Sequence, residues 1–527
     1  MTARWGHKIA LHPNDRGVRA AYKMSTHSVT LHDASYTEVL QLTGPLADLQ
    51  TVFSLLADPT LPSPTAARFL PGEKYGKTHL FMPKAYPYAF ICEVTFLWRP
   101  AAPPGGSEGV EGGMEVDEPT APQQPTVWIW IHPASFSQAK TACEKAILMS
   151  GVTGVTATSL SGELLKFELC GPRAHDVLTH ILRPETAGKG SHAAQVWQGL
   201  KTLRTPSSLS KDVVIALTVQ DPRLSYPPMF ICSPRHSWLN PLPPLQCSFS
   251  GRKMPPRPKI VRTDKNFSRI LESWPTGVAQ SDIWDASERE RVKKGKCREG
   301  DILERRSKNP QKGVAITPTE QDSRIPILLM ARRVLWEATA GTSPRDYGSG
   351  WDIVIPAGWG MAFWKSLSFC GCKVFGLRDE HSVAFEARRP FFPIDAPDSD
   401  AGKVFAHALA LESAAAYQKR PPAKRVNYAK HEVSSPWIPP FETLIPGPEG
   451  ARPEMFVLRG EPIITALRKL LFKSASFDEL ASSLTTTLTA NPKFVSEDPV
   501  DLQEAFVMVS VDPVSFFFWP SSRAPWC

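Results

Sequence analysis

The chain has 527 residues, 42% of them hydrophobic, which is too long for one ordinary core and too apolar for a wholly disordered polypeptide. Its formal net charge of +8 and pI near 8.9 favour a polyanionic partner only weakly. Nine scattered cysteines without regular spacing predict a reducing compartment rather than a disulfide framework, and with no signal peptide and no apolar run of ~18 residues the expectation is a protein neither secreted nor membrane-spanning.

In chain order, Tyr36–Leu42 and Ala89–Leu97 read as strands and Ala47–Leu56 as a helix. Pro100 to Pro125 carries five acids, no base and abundant Pro and Gly; such a stretch cannot bury enough apolar surface to offset its ordering entropy and is predicted to be a disordered linker. VWIWIHP (Val127–Pro133) suits a strand, Ser135–Met149 a helix, LLKFEL (Leu164–Leu169) a strand, Cys170–Pro172 a turn, Ala174–Leu182 a helix and Val213–Val219 a strand. This alternation predicts a mixed α/β or α+β region.

Pro222 to Arg262 is proline-rich and irregular. From Arg252 to Lys312 there are 17 Lys/Arg against 9 Asp/Glu, a difference equal to the net charge of the whole chain, so the basic excess is concentrated here. Ile325–Met330 and Gly350–Pro356 read as strands, Gly358–Phe369 as an apolar aromatic helix, Val374–Arg378 as continued strand alternation and Gly402–Tyr417 as a helix. A second basic stretch, QKRPPAKRVNYAKH (Gln418–His431), follows; Pro436–Pro453 reads as a loop, Pro462–Phe472 as a helix and Glu504–Phe518 as containing a strand.

Motifs for chemistry in the protein itself are missing. There is no nucleophile elbow, P-loop or H-E-x-x-H, and Gly348–Gly360 lacks the G-x-G-x-x-G of a dinucleotide site, so its glycines are read as turn residues. Cys370 and Cys372 form a C-x-C with no partner pair and are read as the packed start of a strand rather than as zinc ligands. Asp379, Glu380 and His381 are adjacent and cannot all converge on one Mg²⁺; they are read as a solvated turn.

The basic runs carry more weight, because ammonium and guanidinium groups neutralise phosphates and aromatic rings stack on unpaired bases. Candidate RNA-binding residues are Arg257, Lys259, Arg262, Lys265 and Arg269 beside Phe267; Arg289, Arg291, Lys293, Lys294, Lys296, Arg305 and Arg306; and Lys419, Arg420, Lys424, Arg425 and Lys430 beside Tyr417 and Tyr428. Arg332 and Arg333 follow a buried strand and are read either as RNA-facing or as members of a structural ion pair. Lys419–Arg425 reads equally as a nuclear import signal. The aromatic set Trp351, Trp359, Phe363 and Trp364 is expected to be structural core.

Three stretches carry a family resemblance. SRIPILLMARR, GSGWDIVIPAGWGMAFWKSLSFCGCKVFGLRDE and FFPIDAPDS (Ser323–Ser399) resemble the POPLD domain of the large protein subunit of eukaryotic ribonuclease P and ribonuclease MRP. IWDASERERVKKGKCREGDILERRSK (Ile283–Lys308) and RWGHKIALHPNDRGVRAAYKMSTHSVTLHDASY (Arg4–Tyr36) resemble two further regions of that family, as does LTVQDPRL (Leu217–Leu224). LLKFELCGPRAHDVL (Leu164–Leu178) is similar to the glycine-cleavage T-protein, a folate-dependent aminomethyltransferase whose fold the family is thought to share distantly. The family has a basic region before its WG opening and closes on a G-R-G-x-P turn; this sequence has three residues between Met1 and the Trp5-Gly6 pair that matches the WG, departs from the closing turn at Val514–Cys527, and is expected to differ in assembly there.

The resemblance implies an α+β, multidomain chain: an N-terminal homology region (1–99), the acidic linker (100–125), a T-protein-like region (126–250), a basic RNA-contacting connector (251–320), the POPLD domain (321–418), a basic, proline-rich linker (419–453) and a C-terminal α/β region (454–527). It further implies an RNA-binding scaffold without catalytic residues, metal or cofactor of its own, working in the nucleus and nucleolus. Its partners would be ribonuclease P RNA, ribonuclease MRP RNA and the other protein subunits, with precursor tRNA reached indirectly and Mg²⁺ held by the catalytic RNA. The alternatives carried forward are a folate-dependent aminomethyltransferase-like enzyme and a protein–protein adaptor using the proline-rich segments; fold likeness alone does not confer the first.

Overall fold

The structure, a computed structural model, describes residues 1–12, 17–101, 124–186, 191–227, 265–309, 315–332, 347–387, 389–441, 455–459 and 505–507. In chain order its strands are β1 (Thr2–Arg4), β2 (His7–Ile9), β3 (Thr30–Asp33), β4 (Glu38–Thr43), β5 (Gly76–Phe81), β6 (Phe90–Trp98), β7 (Thr126–Ile131), β8 (Thr156–Ser159), β9 (Leu164–Cys170), β10 (Val214–Gln220), β11 (Arg324–Arg332), β12 (Gly350–Pro356), β13 (Lys373–Phe375), β14 (Phe456–Leu458) and β15 (Ala505–Val507). The helices are α1 (Val18–His27), α2 (Leu46–Leu56), α3 (Phe136–Ser150), α4 (Ala174–Ile181), α5 (Ser191–Gly199), α6 (Lys265–Glu272), α7 (Ala286–Lys294), α8 (Glu299–Lys308), α9 (Gly360–Phe369), α10 (Leu377–Glu386) and α11 (Asp400–Gln418).

Two sheets organise the molecule. One is antiparallel, in the order β5-β6-β7-β4-β8. The other runs β10-β11-β12-β9-β3-β13, antiparallel except for the β3–β13 edge pair. Side chains alternate across a strand, so each sheet has two faces to cover. In β12, Trp351, Ile353 and Ile355 enter a core shared with α4, α5 and α9, while Val354 joins Leu328 and Met330 against Val39, Trp128 and Trp130 of the other sheet. The sheets therefore pack face to face, and β7 is buried on both sides: Val127, Ile129 and Ile131 meet α2 and α3, and Trp128 and Trp130 meet the second sheet. This is the mixed α/β architecture that the alternating runs predict.

The second sheet draws strands from widely separated stretches of chain. β3 lies within residues 1–99, β9 and β10 within 126–250, and β11 to β13 within 321–418, with Trp351 opposite Leu169 and Val374 opposite Leu31. The segments 1–99, 126–250 and 321–418 thus each contribute strands to one sheet.

Two local readings are corrected. The alternation at Val374–Arg378 ends at Phe375, where Gly376 turns the chain into α10. Asp379, Glu380 and His381 lie in the first turns of that helix and not in a solvated turn; Asp379 accepts the Gly376 N–H at 3.0 Å, and Glu380 is buried. The acids that resemble a loop are the start of a helix, where they complement the positive end of its dipole. Most of the acidic stretch 100–125 and the helix read at 462–472 lie outside the described residues.

Candidate nucleic-acid interface

The charged connector folds into a short turn of 3₁₀ helix (Asp282–Trp284) and the helices α7 and α8. Acids stand early and bases late in both helices, the order that favours each against the helix dipole. The connector is clasped to the glycine-rich turn Ala357–Trp359. Trp359 is fully buried and donates its indole N–H to Val292 O at 3.3 Å, and Lys296 donates to Gly358 O at 2.6 Å with its ammonium 5.2 Å from the Trp359 ring centre. On the other side the ring meets the Arg223 guanidinium at 5.4 Å. Arg223 is itself held in the interior by both oxygens of Asp221, by Cys297 O and by Glu299. The family-like stretches Leu217–Leu224, Ile283–Lys308 and Gly350–Trp359 therefore meet at one indole.

Among the described residues, most of the cations of α7 and α8 are engaged within the chain. Arg289, named from sequence as RNA-facing, is buried, donates to the carbonyls of Ile283 and Trp284 at 2.9 Å and pairs with Glu163 at 2.5 Å; its position is corrected to the interior. Arg305 makes two hydrogen bonds to Asp322 and holds that carboxyl down at about 2, and Arg306 donates to Arg223 O at 2.7 Å. Arg291 pairs with Glu288, and Lys294 with Glu290 at 3.3 Å; Lys293 is 3.9 Å from the same carboxylate. These last three are exposed, but each faces an acid one helical turn away.

Arg332 is corrected in the same way. Its guanidinium lies 2.8 Å from Glu168 and 2.6 Å from Asp352, and Lys166 bridges the same carboxylates at 3.1 and 3.0 Å. The two-plus, two-minus network sits on the face of the second sheet opposite the main helical core. Burial alone would raise the Glu168 carboxyl, but Arg332 and Lys166 outweigh it and hold the group well below its ordinary range. Of the two roles that the sequence allows for Arg332, the structural ion pair is the one formed.

The second basic stretch behaves differently. At the end of α11 the chain folds into a compact hook in which the rings of Tyr417, Tyr428 and Trp437 meet pairwise at 5.3–5.4 Å. Tyr417 donates its hydroxyl to Val426 O at 2.6 Å. Arg425 donates to Arg420 O at 2.7 Å and to Gln418 O, satisfying carbonyls at the α11 C-terminus. That leaves Lys419, Arg420, Lys424 and Lys430 exposed, and among the described residues none has an acidic partner. From Gln418 to Pro440 there are five Lys/Arg against one acid, Glu432, so this surface keeps its field. The sequence marks its cations and two of its rings; Trp437, the third, lies in a stretch read as loop.

Arg269 is exposed on α6, and Lys265 opens that helix. Arg257, Lys259, Arg262 and Arg333 lie outside the described residues. Trp351, Trp359 and Phe363 are buried and Trp364 packs half-buried against the same core. Cys370 and Cys372 are both buried, and burial pushes the Cys370 thiol up to about 12. Among the described residues no group of three His, Cys, Asp or Glu side chains is placed to hold a metal ion, and no helix is long and apolar enough to cross a membrane.

Residues 350–441 match the POPLD (NUC188) domain. The chain is 24% identical over 535 residues to "Ribonucleases P/MRP protein subunit POP1" of Homo sapiens, covering 84% of this chain and 49% of that protein. It is 28% identical over 457 residues to the Arabidopsis thaliana protein of the same name, covering 81% and 52%. The chain thus spans about half the length of the curated relatives it matches. Among solved structures, the glycine cleavage system aminomethyltransferase T of Bartonella henselae aligns at 15% identity and a TM-score of 0.23 over 34% of this chain and 38% of that one, a likeness too low to carry an argument.

Proposed function

We propose that this chain, which carries a POPLD domain and is a relative of the ribonuclease P/MRP subunits, is an RNA-binding scaffold of those particles. In this reading it grips ribonuclease P RNA and ribonuclease MRP RNA in the nucleus and nucleolus and contacts other protein subunits. It contributes no catalytic group to 5′ maturation of precursor tRNA or to precursor ribosomal RNA processing; cleavage belongs to the RNA and its Mg²⁺. The observation that carries it is the hook: four exposed cations that have no acidic partner among the described residues, beside three aromatic rings, while most of the described cations of α7 and α8 are already engaged within the chain. An import receptor that reads an extended basic peptide fits the hook less well, because Arg425 and Tyr417 tie Lys419–Val426 into a folded turn.

The test is a salt titration of binding to the organism's own ribonuclease P RNA with tRNA as competitor. Tight binding that survives tRNA, with log affinity falling steeply against log salt, supports the scaffold. Replacing Lys419, Arg420, Lys424 and Lys430 by Ala together is expected to flatten that slope by roughly 0.7–0.9 for each phosphate left without its cation. Binding that tRNA abolishes, or a slope unchanged in the variant, would remove the hook from the interface.

A further inference from the structure

A polar cleft of about 340 Å³ lies where the chain leading into β5 pairs with the chain leading into β10, at one margin of the two packed sheets. Strand β5 is approached through Glu73–Tyr75, and this stretch pairs with Asp212–Val214: Val214 N donates to Glu73 O at 2.9 Å and Tyr75 N to Asp212 O at 3.0 Å. The cleft opens beside that junction and is lined by Arg68, Glu73, Lys74 and Ser210, and by Glu272, Ser273 and Trp274 at the end of α6.

Its lining carries both signs of charge. Arg68 is exposed and Lys74 half-buried, and among the described residues neither forms a salt bridge; the Arg68 guanidinium rests 4.5 Å from the Phe69 ring centre and acts on the Asp212 carboxyl through its charge. Glu73, which also lines the cleft, is already engaged by the Gly277 N–H at 2.7 Å. The lining also holds an exposed carboxylate, Glu272, at the C-terminal end of α6. The indole N–H of Trp274 points away from solvent to Val214 O at 3.2 Å, so Trp274 frames the cleft without offering it a donor. A cleft of this size, lined by two cations and by a carboxylate that no described cation pairs, complements a ligand that carries both an anionic group and hydrogen-bond donors.

We propose that the cleft takes one unpaired nucleotide of the bound RNA, phosphate against Arg68 and Lys74 and the amino-bearing edge of the base against Glu272; this rests on the RNA-binding reading above. Adenine, cytosine and guanine carry such an exocyclic amino group and uracil does not, so the cleft discriminates against uracil.

The experiment titrates the full chain with single-stranded oligo(A), oligo(C) and oligo(U), and with AMP alone. The unaltered chain, R68A/K74A, E272Q and the hook quadruple alanine variant are compared, with circular dichroism checking the fold of each. The expected result is tighter binding of oligo(A) and oligo(C) than of oligo(U), a loss of ten-fold or more in R68A/K74A with a flatter salt slope, and in E272Q a loss of base preference without change of slope. Unchanged affinity and base preference in R68A/K74A, with binding lost in the hook variant, overturns the cleft and leaves the scaffold reading standing. Failure of the unaltered chain to bind any RNA overturns both. Binding of AMP as tightly as oligo(A), lost in R68A/K74A, assigns the cleft to a free nucleotide and overturns its role on RNA.

Discussion

Trp359 and Val292 are joined by one hydrogen bond, indole N–H to backbone carbonyl at 3.3 Å, and through it the connector helix α7 is fixed to the turn that opens α9. The indole is completely buried between Arg223 and Lys296, so it acts as a structural pin and leaves no face for a base to stack on. Trp359→Ala is expected to cost about 3–5 kcal/mol through the cavity it leaves, and to free the Val292 carbonyl as well. Chemical denaturation measures this; a variant of native stability that had lost only RNA affinity would show the ring to be a contact surface.

Gly350 is set by close approach. A Cβ there would lie 1.8 Å from the Leu169 carbonyl oxygen of the paired strand, closer than any side chain can sit. Gly350→Ala must push β12 from β9 in the middle of the second sheet. The expected outcome is little soluble protein, or a large fall in the unfolding midpoint, read by expression yield and thermal melting.

Arg332→Met removes one cation from the buried network and leaves Glu168 and Asp352 with Lys166 alone. Breaking one side of such a network costs about 3–5 kcal/mol, because the desolvated carboxylate stays behind. RNA affinity per folded molecule should be unchanged, since the group faces the interior. A variant as stable as the parent but weaker on RNA would return Arg332 to the interface.

Asp322 sets an acid limit. Hydrogen bonds from Arg305 hold its folded pKa at about 2, below its unfolded value near 4. A depressed carboxyl stabilises fully above its unfolded pKa, and that contribution disappears as pH falls through the folded one. The stability gap between the parent and Asp322→Asn should therefore be constant at neutral pH and close between about pH 4 and pH 2. A gap that persists at pH 2 would place its origin elsewhere.

Glu380 works in the opposite sense. Burial raises its carboxyl above the ordinary range, so the fold favours the protonated form and loses stability as pH rises through the raised value. Glu380→Gln, uncharged and of the same shape, is expected to hold or improve stability at neutral pH and to remove that decline, which denaturation at several pH values would show. A destabilised Gln variant at neutral pH would mean that the ionised form is the one the fold needs.

Local order was written in the sequence. The runs at Ala47–Leu56, Leu164–Leu169 and Gly350–Pro356 became α2, β9 and β12 because apolar periods of 3.6 and 2 are imposed residue by residue and need no distant partner to be recognised. The dense tryptophans around Trp351 and Trp359 marked a core for the same reason: so much aromatic surface must be buried. The sequence could not tell which cations were free. Arg289 and Lys419 look alike in a string of letters, yet one reaches Glu163, 126 residues away, and the other meets no acid among the described residues. Charge is a property of the residue, but whether it is already neutralised depends on which groups the folded chain brings within hydrogen-bond reach. Tertiary structure alone decided that most of the described cations of α7 and α8 are engaged within the chain, while those of the shorter hook meet no acid among the described residues.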